Sequence, residues 1–350
     1  MIPKIVRRGL PLLPLAALAG CNTVVMNPTG DIAKQQADLI TISVLLMLII
    51  IVPVMILTVL FAWRYRKSNT SAKYEPDWDH STKLELLIWG APLLIIIVLG
   101  LITWVSTHKL DPYRPLDRID EHRPIAASTK PLEVQVVALD WKWLFIYPEQ
   151  GIASVNELVT PVDVPIRFKI TSSTVMNTFY IPTLAGMIYA MPGMETTLNA
   201  VLNKPGDYKG LSANFSGEGF SHMHFAYKGV SAGDFDAWVQ KMKASPEQLN
   251  RAGYLTLEKP SVREPVRYYG QVETALFNRV LNRCVAEGSV CMNQQMADDH
   301  KRNQVAAAAK RLPKQGSVAQ LAELEICVTP EAGGPALATS AGTNNNPVKK

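Results

Sequence analysis

The chain has 350 residues, 48% of them apolar and 19% charged, which allows two or three units of ordinary domain size. Its net charge is +5, but Lys4, Arg7 and Arg8 supply three of those charges, leaving the remainder near neutral with no concentrated basic face for nucleic acid. The four cysteines, at 21, 284, 291 and 327, are too few and too scattered for a disulfide-dense scaffold or a two-plus-two zinc site.

Residues 1–20 read as an export signal: a basic start, the apolar stretch Leu10–Leu18, then small residues. Leu18-Ala19-Gly20-Cys21 has the form of a bacterial lipobox, so cleavage before Cys21 and lipidation of that residue are expected. Acyl chains contribute ~0.8 kcal/mol per buried CH₂ and only supplement anchors that span the bilayer. After the outer segment 21–38, Leu39–Trp63 offers 25 residues without a charge, bounded by Asp38 and Arg64. As a helix this run reaches ~37 Å, enough for a hydrocarbon core of ~30 Å. Pro53 lies in its middle, where a kink is expected and neighbouring helices tolerate it.

A second run, Leu86–Thr107, has 22 uncharged residues with Trp89 and Trp104 near its ends, where tryptophan favours the lipid–water interface. The loop 64–85 carries Arg64, Arg66, Lys67, Lys73 and Lys83, against Lys34 alone in 22–38. The positive-inside rule therefore puts the loop in the cytoplasm, and everything after Thr107 in the periplasm outside the inner membrane.

A proline-rich linker, 108–131, leads into strand patterns. Leu132–Leu139 and Val164–Thr171 alternate, and Trp141–Tyr147 is aromatic and β-branched. Met194–Leu202, Tyr208–Phe215 and His222–Tyr227 follow, separated by Gly-rich turns. Short strands at this spacing predict an all-β sandwich over 132–230. The segment 231–330 turns helical: Phe235, Trp238 and Met242 recur at three- and four-residue steps, and Val272–Ala286 has the same period. The tail 331–350, poor in apolar residues other than alanine, reads as disordered.

Chemistry-bearing residues are few. His222 and His224 form an H-x-H pair predicted on one strand face, a weak metal site by itself and equally a pair that binds nothing. No cysteine lies between 21 and 284, so a copper–thiolate centre is excluded from the sandwich. Cys284 and Cys291 could join in the oxidising periplasm, but Cys327 leaves the pairing open. Gly217-Glu218-Gly219 has neither the lysine nor the following helix of a phosphate loop.

Four stretches carry a resemblance: 138–152 (ALDWKWLFIYPEQGI), 173–182 (STVMNTFYIP), 188–194 (IYAMPGM) and 208–225, ending NFSGEGFSHMHF. With the helical hairpin they resemble subunit II of the haem–copper oxygen reductases, and more closely subunit 2 of the cytochrome bo-type ubiquinol oxidases. The resemblance fades after about residue 280. It implies a cupredoxin-like sandwich on a transmembrane hairpin, with a helical C-terminal extension.

In the cytochrome c-oxidising members this sandwich holds a dinuclear copper centre, CuA. Its ligands are an upstream His and a loop of the form C-x-E-x-C-x-x-x-H-x-x-M. The matching positions here are Asn177, then Ser216, Glu218, Phe220, His224 and Tyr227. Both thiolates, one imidazole and the thioether are missing, and only Glu218 and His224 match. An amide, a hydroxyl, a phenyl ring and a phenol do not replace that ligand set.

The resemblance thus implies a non-catalytic subunit with a degenerate CuA site and no cofactor of its own. Haems and copper would reside in subunit I, where ubiquinol is oxidised and oxygen reduced to water with proton pumping. Expected partners are subunit I, the other subunits, membrane lipid and ubiquinol. Glu85 falls where relatives carry a carboxylate near a proton-channel entrance, although a hydrated residue at a helix start explains it equally. Trp141 and Trp143 resemble the aromatic segment facing subunit I near the point of electron arrival, and packing alone would also account for them. The alternatives are a cytochrome c oxidase subunit II with working copper, or a stand-alone membrane-tethered cupredoxin-like module.

Overall fold

A computed structural model of the chain describes residues 23–311, apart from 74 and 127. The export signal, Cys21, Cys327 and the tail 331–350 lie outside the described residues. The chain divides into two compact units, Met1–Asn293 and Gln294–Lys350. All that follows concerns the first, apart from the helix α6 noted below.

Two long helices open the structure, α1 (Asp31–Arg64) and α2 (Thr82–Lys109). Both are long and apolar enough to cross a membrane, and their apolar side chains are exposed. α1 is continuous through Pro53 and starts eight residues before its charge-free run. That first part is not lipid-facing: Asp31, Ala33 and Ala37 are buried against the β-domain. The backbone N–H groups of Thr29 and Gly30 both donate to the Thr183 carbonyl, at 2.8 and 3.1 Å. The Asn203 N–H in turn donates to the Thr29 carbonyl at 2.8 Å. Any side chain at residue 30 would place its Cβ 2.6 Å from the Val201 carbonyl oxygen, so glycine is required there.

The linker is partly ordered as a small hairpin, β1 (Arg118–Asp120) with β2 (Arg123–Pro124). The Arg123 guanidinium anchors it through two bonds to Asp163, of 3.0 and 2.8 Å. The β-sandwich then follows. The strands that follow are β3 (Leu132–Leu139), β4 (Lys142–Tyr147), β5 (Ile152–Val155), β6 (Glu157–Pro161), β7 (Pro165–Ser172), β8 (Asn177–Tyr180), β9 (Ile188–Ala190), β10 (Thr196–Val201), β11 (Gly206–Ser212), β12 (His224–Val230), β13 (Gln248–Leu249), β14 (Arg267–Tyr269) and β15 (Gln271–Val272), of which β13 and β15 pair only with each other. One sheet runs β10-β7-β3-β4-β5-β14 and the other β6-β12-β11-β8-β9. The pairs β3–β7 and β6–β12 are parallel and the remaining ladders of these two sheets antiparallel.

Alternation along β3 and β4 feeds two cores. Val134, Val136, Ala138, Trp143, Phe145 and Tyr147 face the opposite sheet and meet Phe179, Phe225 and Tyr227. Their neighbours Val137, Leu139, Leu144 and Ile146 point the other way, onto Leu249, Tyr254, Leu257, Tyr269, Phe277 and Val280. Hence every residue of β4 is buried.

The segment after residue 230 is not purely helical, as its periodicity predicted. It contains α3 (Ala232–Lys243), α4 (Arg251–Glu258), α5 (Leu276–Leu281) and α6 (Met292–Arg311), but also β13 to β15. β14 extends the larger sheet by pairing with β5, because the edge backbone of β5 otherwise lacks partners. The helix predicted over Val272–Ala286 shrinks to α5. Ala275 and Arg283 take positive φ at its two ends, and Cys284 turns away to bond Cys291.

α3 lies close to its predicted start. Ser231 caps it by accepting from the Asp234 N–H at 3.2 Å, and Phe235, Val239 and Met242 are buried on the first core.

The ring cluster at the centre of the sandwich should dominate its stability. Phe179 stacks on Phe225 at 5.5 Å and 5°, and meets Trp143 edge-on at 5.5 Å. Phe179→Ala is expected to cost about 3–5 kcal/mol, read from urea unfolding followed by tryptophan fluorescence. A loss below about 1 kcal/mol would show that the cluster collapses to fill the gap.

Candidate functional site

The loop between β11 and β12 carries Ser216, Glu218, Phe220 and His222. Strand β11 stops at Ser212, whose hydroxyl donates to Asn177 Oδ1 at 3.1 Å. Asn177 is buried at the start of β8, and its amide also donates to the Val175 carbonyl at 3.2 Å. Beyond it, the Asn214 amide ties Met176 and Phe215 together by donating to both carbonyls. The Ser216 hydroxyl approaches Met223 Sδ at 3.9 Å, and the Phe220 ring meets Phe215 edge-on at 5.6 Å. Glu218 is exposed.

Trp141 holds this loop from below. Its indole Nε1 donates to the Ser216 carbonyl at 2.9 Å, and its ring fills the space beside Gly217 and Gly219. A Cβ on Gly219 would come within 2.5–2.7 Å of the indole, so the close approach needs glycine there.

The two histidines do not share a strand face as predicted. His222 ends a short 3₁₀ turn, Phe220–His222, and His224 opens β12, because the loop closes in a turn before the strand begins. His222 Nε2 instead lies 3.4 Å from the Arg263 guanidinium. Partial burial and then the charge of Lys209 lower the His224 imidazole below its usual range.

Tyr227 is three residues further along β12. That odd spacing sends it to the buried face while His224 stays exposed. The Tyr227 hydroxyl shares a 2.8 Å hydrogen bond with Thr160, and burial pushes its phenol up. The structure therefore brings Asn177, Ser216 and Phe220 near one loop but turns His224 and Tyr227 to opposite sides. Among the described residues, no three His, Cys, Asp or Glu side chains gather as a metal cluster.

The tryptophan pair separates. Trp143 is fully buried between Phe179 and Phe225, so it packs the core and cannot face a partner as expected. Only Trp141, half-buried under the loop, keeps an accessible edge. Glu85 stands in the first turn of α2, exposed, with a carboxylate oxygen 2.7 Å from His80 Nδ1.

Two polar clusters escaped the sequence reading. Lys142 is 1% exposed and donates to the Asp140 and Lys259 carbonyls and to Ser261 Oγ, at 3.2, 2.7 and 2.7 Å. Burial holds its amine below the usual lysine range, with Glu264 and Asp140 opposing. Glu157, on β6, takes Lys228 Nζ and the Tyr268 hydroxyl, both at 2.7 Å. Its hydrogen bond raises Lys228, and burial, then Glu157, raises Tyr268. A charged residue inside an otherwise buried strand was the one available signal for each.

A membrane hairpin bearing a two-sheet sandwich on its outer ends defines the class of protein here. Residues 133–230 match the family described as "Cytochrome C oxidase subunit II, periplasmic domain", and residues 243–288 match the "COX Aromatic Rich Motif". The second match coincides with the segment that covers the outer face of β4. "Cytochrome bo(3) ubiquinol oxidase subunit 2" of Pseudomonas putida is 49% identical over 78% of this chain and 84% of its own. "Ubiquinol oxidase subunit 2" of Acetobacter aceti is 50% identical over 80% and 89%. The bo(3) subunit 2 of Pseudomonas aeruginosa is 48% identical over 79% and 81%. The chain belongs to the family of subunit 2 of the bo-type ubiquinol oxidases, within the wider subunit II family. It is membrane-anchored, with its cupredoxin-like domain in the periplasm.

Gly219→Ala should push the Trp141 indole off the loop. The expected outcome is a red-shifted tryptophan emission and a loss of about 1–3 kcal/mol in unfolding. Unchanged emission and stability would mean that the loop moves freely enough to absorb a methyl group.

Proposed function

We propose that this chain is a non-catalytic, copper-free subunit 2 of a proton-pumping ubiquinol oxidase of the aerobic respiratory chain. Haems and copper sit in subunit I, where ubiquinol is oxidised and oxygen is reduced to water. The observation that carries this reading is the state of the former ligand positions. Asn177 and Tyr227 spend their polar atoms on Ser212, Val175 and Thr160. Phe220 has no donor atom, and the Ser216 hydroxyl is a poor copper ligand beside a thiolate. With His224 turned away from Tyr227, the donors neither match CuA in kind nor converge, and no electron step is routed through the loop. The names of the relatives, ubiquinol oxidases, support a quinol as donor.

In this reading the hairpin binds subunit I within the bilayer and the sandwich caps it on the periplasmic side, with Trp141 facing subunit I. Lipid chains on Cys21 add a third hold on the inner membrane. Glu85, paired with His80, collects protons at the cytoplasmic mouth of a channel into subunit I.

The deciding experiment is oxygen uptake by the complex purified through a tag on this chain. Ubiquinol and reduced cytochrome c are offered separately, with a haem spectrum of the same sample. Haem with uptake on ubiquinol alone is expected. Uptake on cytochrome c would return the loop to electron transfer, and a haem-free, inactive chain that had not lost partners in detergent would make it a stand-alone module. Glu85→Ala should slow ubiquinol turnover without loss of haem, and unchanged turnover would leave Glu85 merely hydrated.

A further inference from the structure

A cationic turn and an apolar groove meet at the end of α1 far from the sandwich. The stretch 64–73 carries Arg64, Arg66, Lys67 and Lys73 and no acid, whereas Glu75, Asp77 and Asp79 follow it. Charged contacts in this loop join Lys73 to Glu75 and His80 to Glu85, so among the described residues Arg64, Arg66 and Lys67 have no acidic partner. All three are exposed. The turn that carries them is tied by Asn69. Its side-chain amide donates to the Arg64 carbonyl at 2.5 Å and its backbone N–H to the Arg66 carbonyl at 2.9 Å. The Arg66 guanidinium stands 5.5 Å from the centre of the Trp63 ring, a cation–π contact. Trp63 also lines a shallow groove on α1 with Met55, Ile56, Val59 and Leu60, all of them apolar. Orientation in the membrane needs only the count of cations in the loop, not a tied turn or a stacked guanidinium.

Given that α1 spans the membrane from a periplasmic sandwich, its C-terminal end lies at the cytoplasmic headgroups, the depth that tryptophan favours. We propose that Arg64, Arg66 and Lys67 bind the phosphate of an anionic phospholipid from the cytoplasmic leaflet, with an acyl chain along the groove that Trp63 lines. A guanidinium offers paired N–H donors that match phosphate oxygens, and stacking on Trp63 holds that fork in place before the lipid arrives. Each cation near the surface adds attraction for a lipid of net negative charge, which a zwitterionic headgroup lacks. The groove distinguishes a lipid from free phosphate, because only the lipid brings apolar surface to bury there. The site requires the topology of the hairpin and is independent of which redox centres the partner holds.

The test is native mass spectrometry of the intact oxidase complex in mild detergent, with a haem spectrum to establish assembly independently. Phosphatidylglycerol and phosphatidylethanolamine are added in turn, and inorganic phosphate is then offered as a competitor. Phosphatidylglycerol should be retained about tenfold better than phosphatidylethanolamine, and phosphate should not displace it. Arg66→Gln combined with Lys67→Gln should weaken that retention about thirtyfold at unchanged haem content, about fivefold for each cation removed. Arg66→Lys keeps the net charge, and with it the orientation of the hairpin, but loses the planar fork over Trp63. It should weaken retention about threefold, and it decides the matter if the double variant fails to assemble. Equal retention of the two lipids, or displacement by phosphate, would overturn the proposal. So would retention unchanged by Arg66→Lys, which would leave only the diffuse charge of the loop, or lipid retention that no variant alters because another subunit covers the turn.

Discussion

One carbonyl oxygen, that of Thr183, accepts from two successive backbone N–H groups at the foot of α1, and the position of the β-domain on the membrane depends on it. A flexible tether would leave the sandwich free to tumble above the bilayer. Here the chain instead forms a single β-bridge, Gly30 to Leu202, immediately before the helix begins. The absence of a side chain at residue 30 allows the two backbones to touch, and buried Asp31, paired with the half-buried Arg118, fixes the helix start from the other side. A buried ion pair of this kind is weak evidence for stability but a strong constraint on geometry, because breaking it strands a charge. The direction of α1 and the orientation of the sandwich are therefore one structural variable.

The sandwich itself is built outward from β3 and β4. β4 throughout, and β3 over its second half, are covered on both faces, one by the second sheet and the other by the segment after residue 243. The C-terminal segment is thus part of the fold rather than an addition to it. Lys142 reinforces this by reaching from β4 to the Lys259 carbonyl and the Ser261 hydroxyl. Three acceptors around one buried ammonium compensate most of its desolvation, and they do so only if the segment stays docked.

Much of this was legible in the sequence, and the exceptions have physical causes. The membrane spans were evident because a charge-free run of that length has few other uses. Alternation gave β3 and β7 to within a residue. The helix expected over Val272–Ala286 failed because periodicity carries no information about Arg283, whose positive φ and neighbouring disulfide end it early. β14 was missed because three residues have no period, and only the unpaired edge of β5 makes them a strand. His222 and His224 looked like strand neighbours since spacing cannot register a 3₁₀ turn that ends at His222. Trp141 and Trp143 looked equivalent for the same reason, yet one lies in a turn and the other in the core.

The bridge between Cys284 and Cys291 closes a loop of chain just after α5. Fraying that begins at the C-terminal side must therefore stop there, since a covalent ring cannot be unzipped residue by residue. A periplasmic protease trimming this chain from its end would meet a knot before it reached any residue that packs on β4.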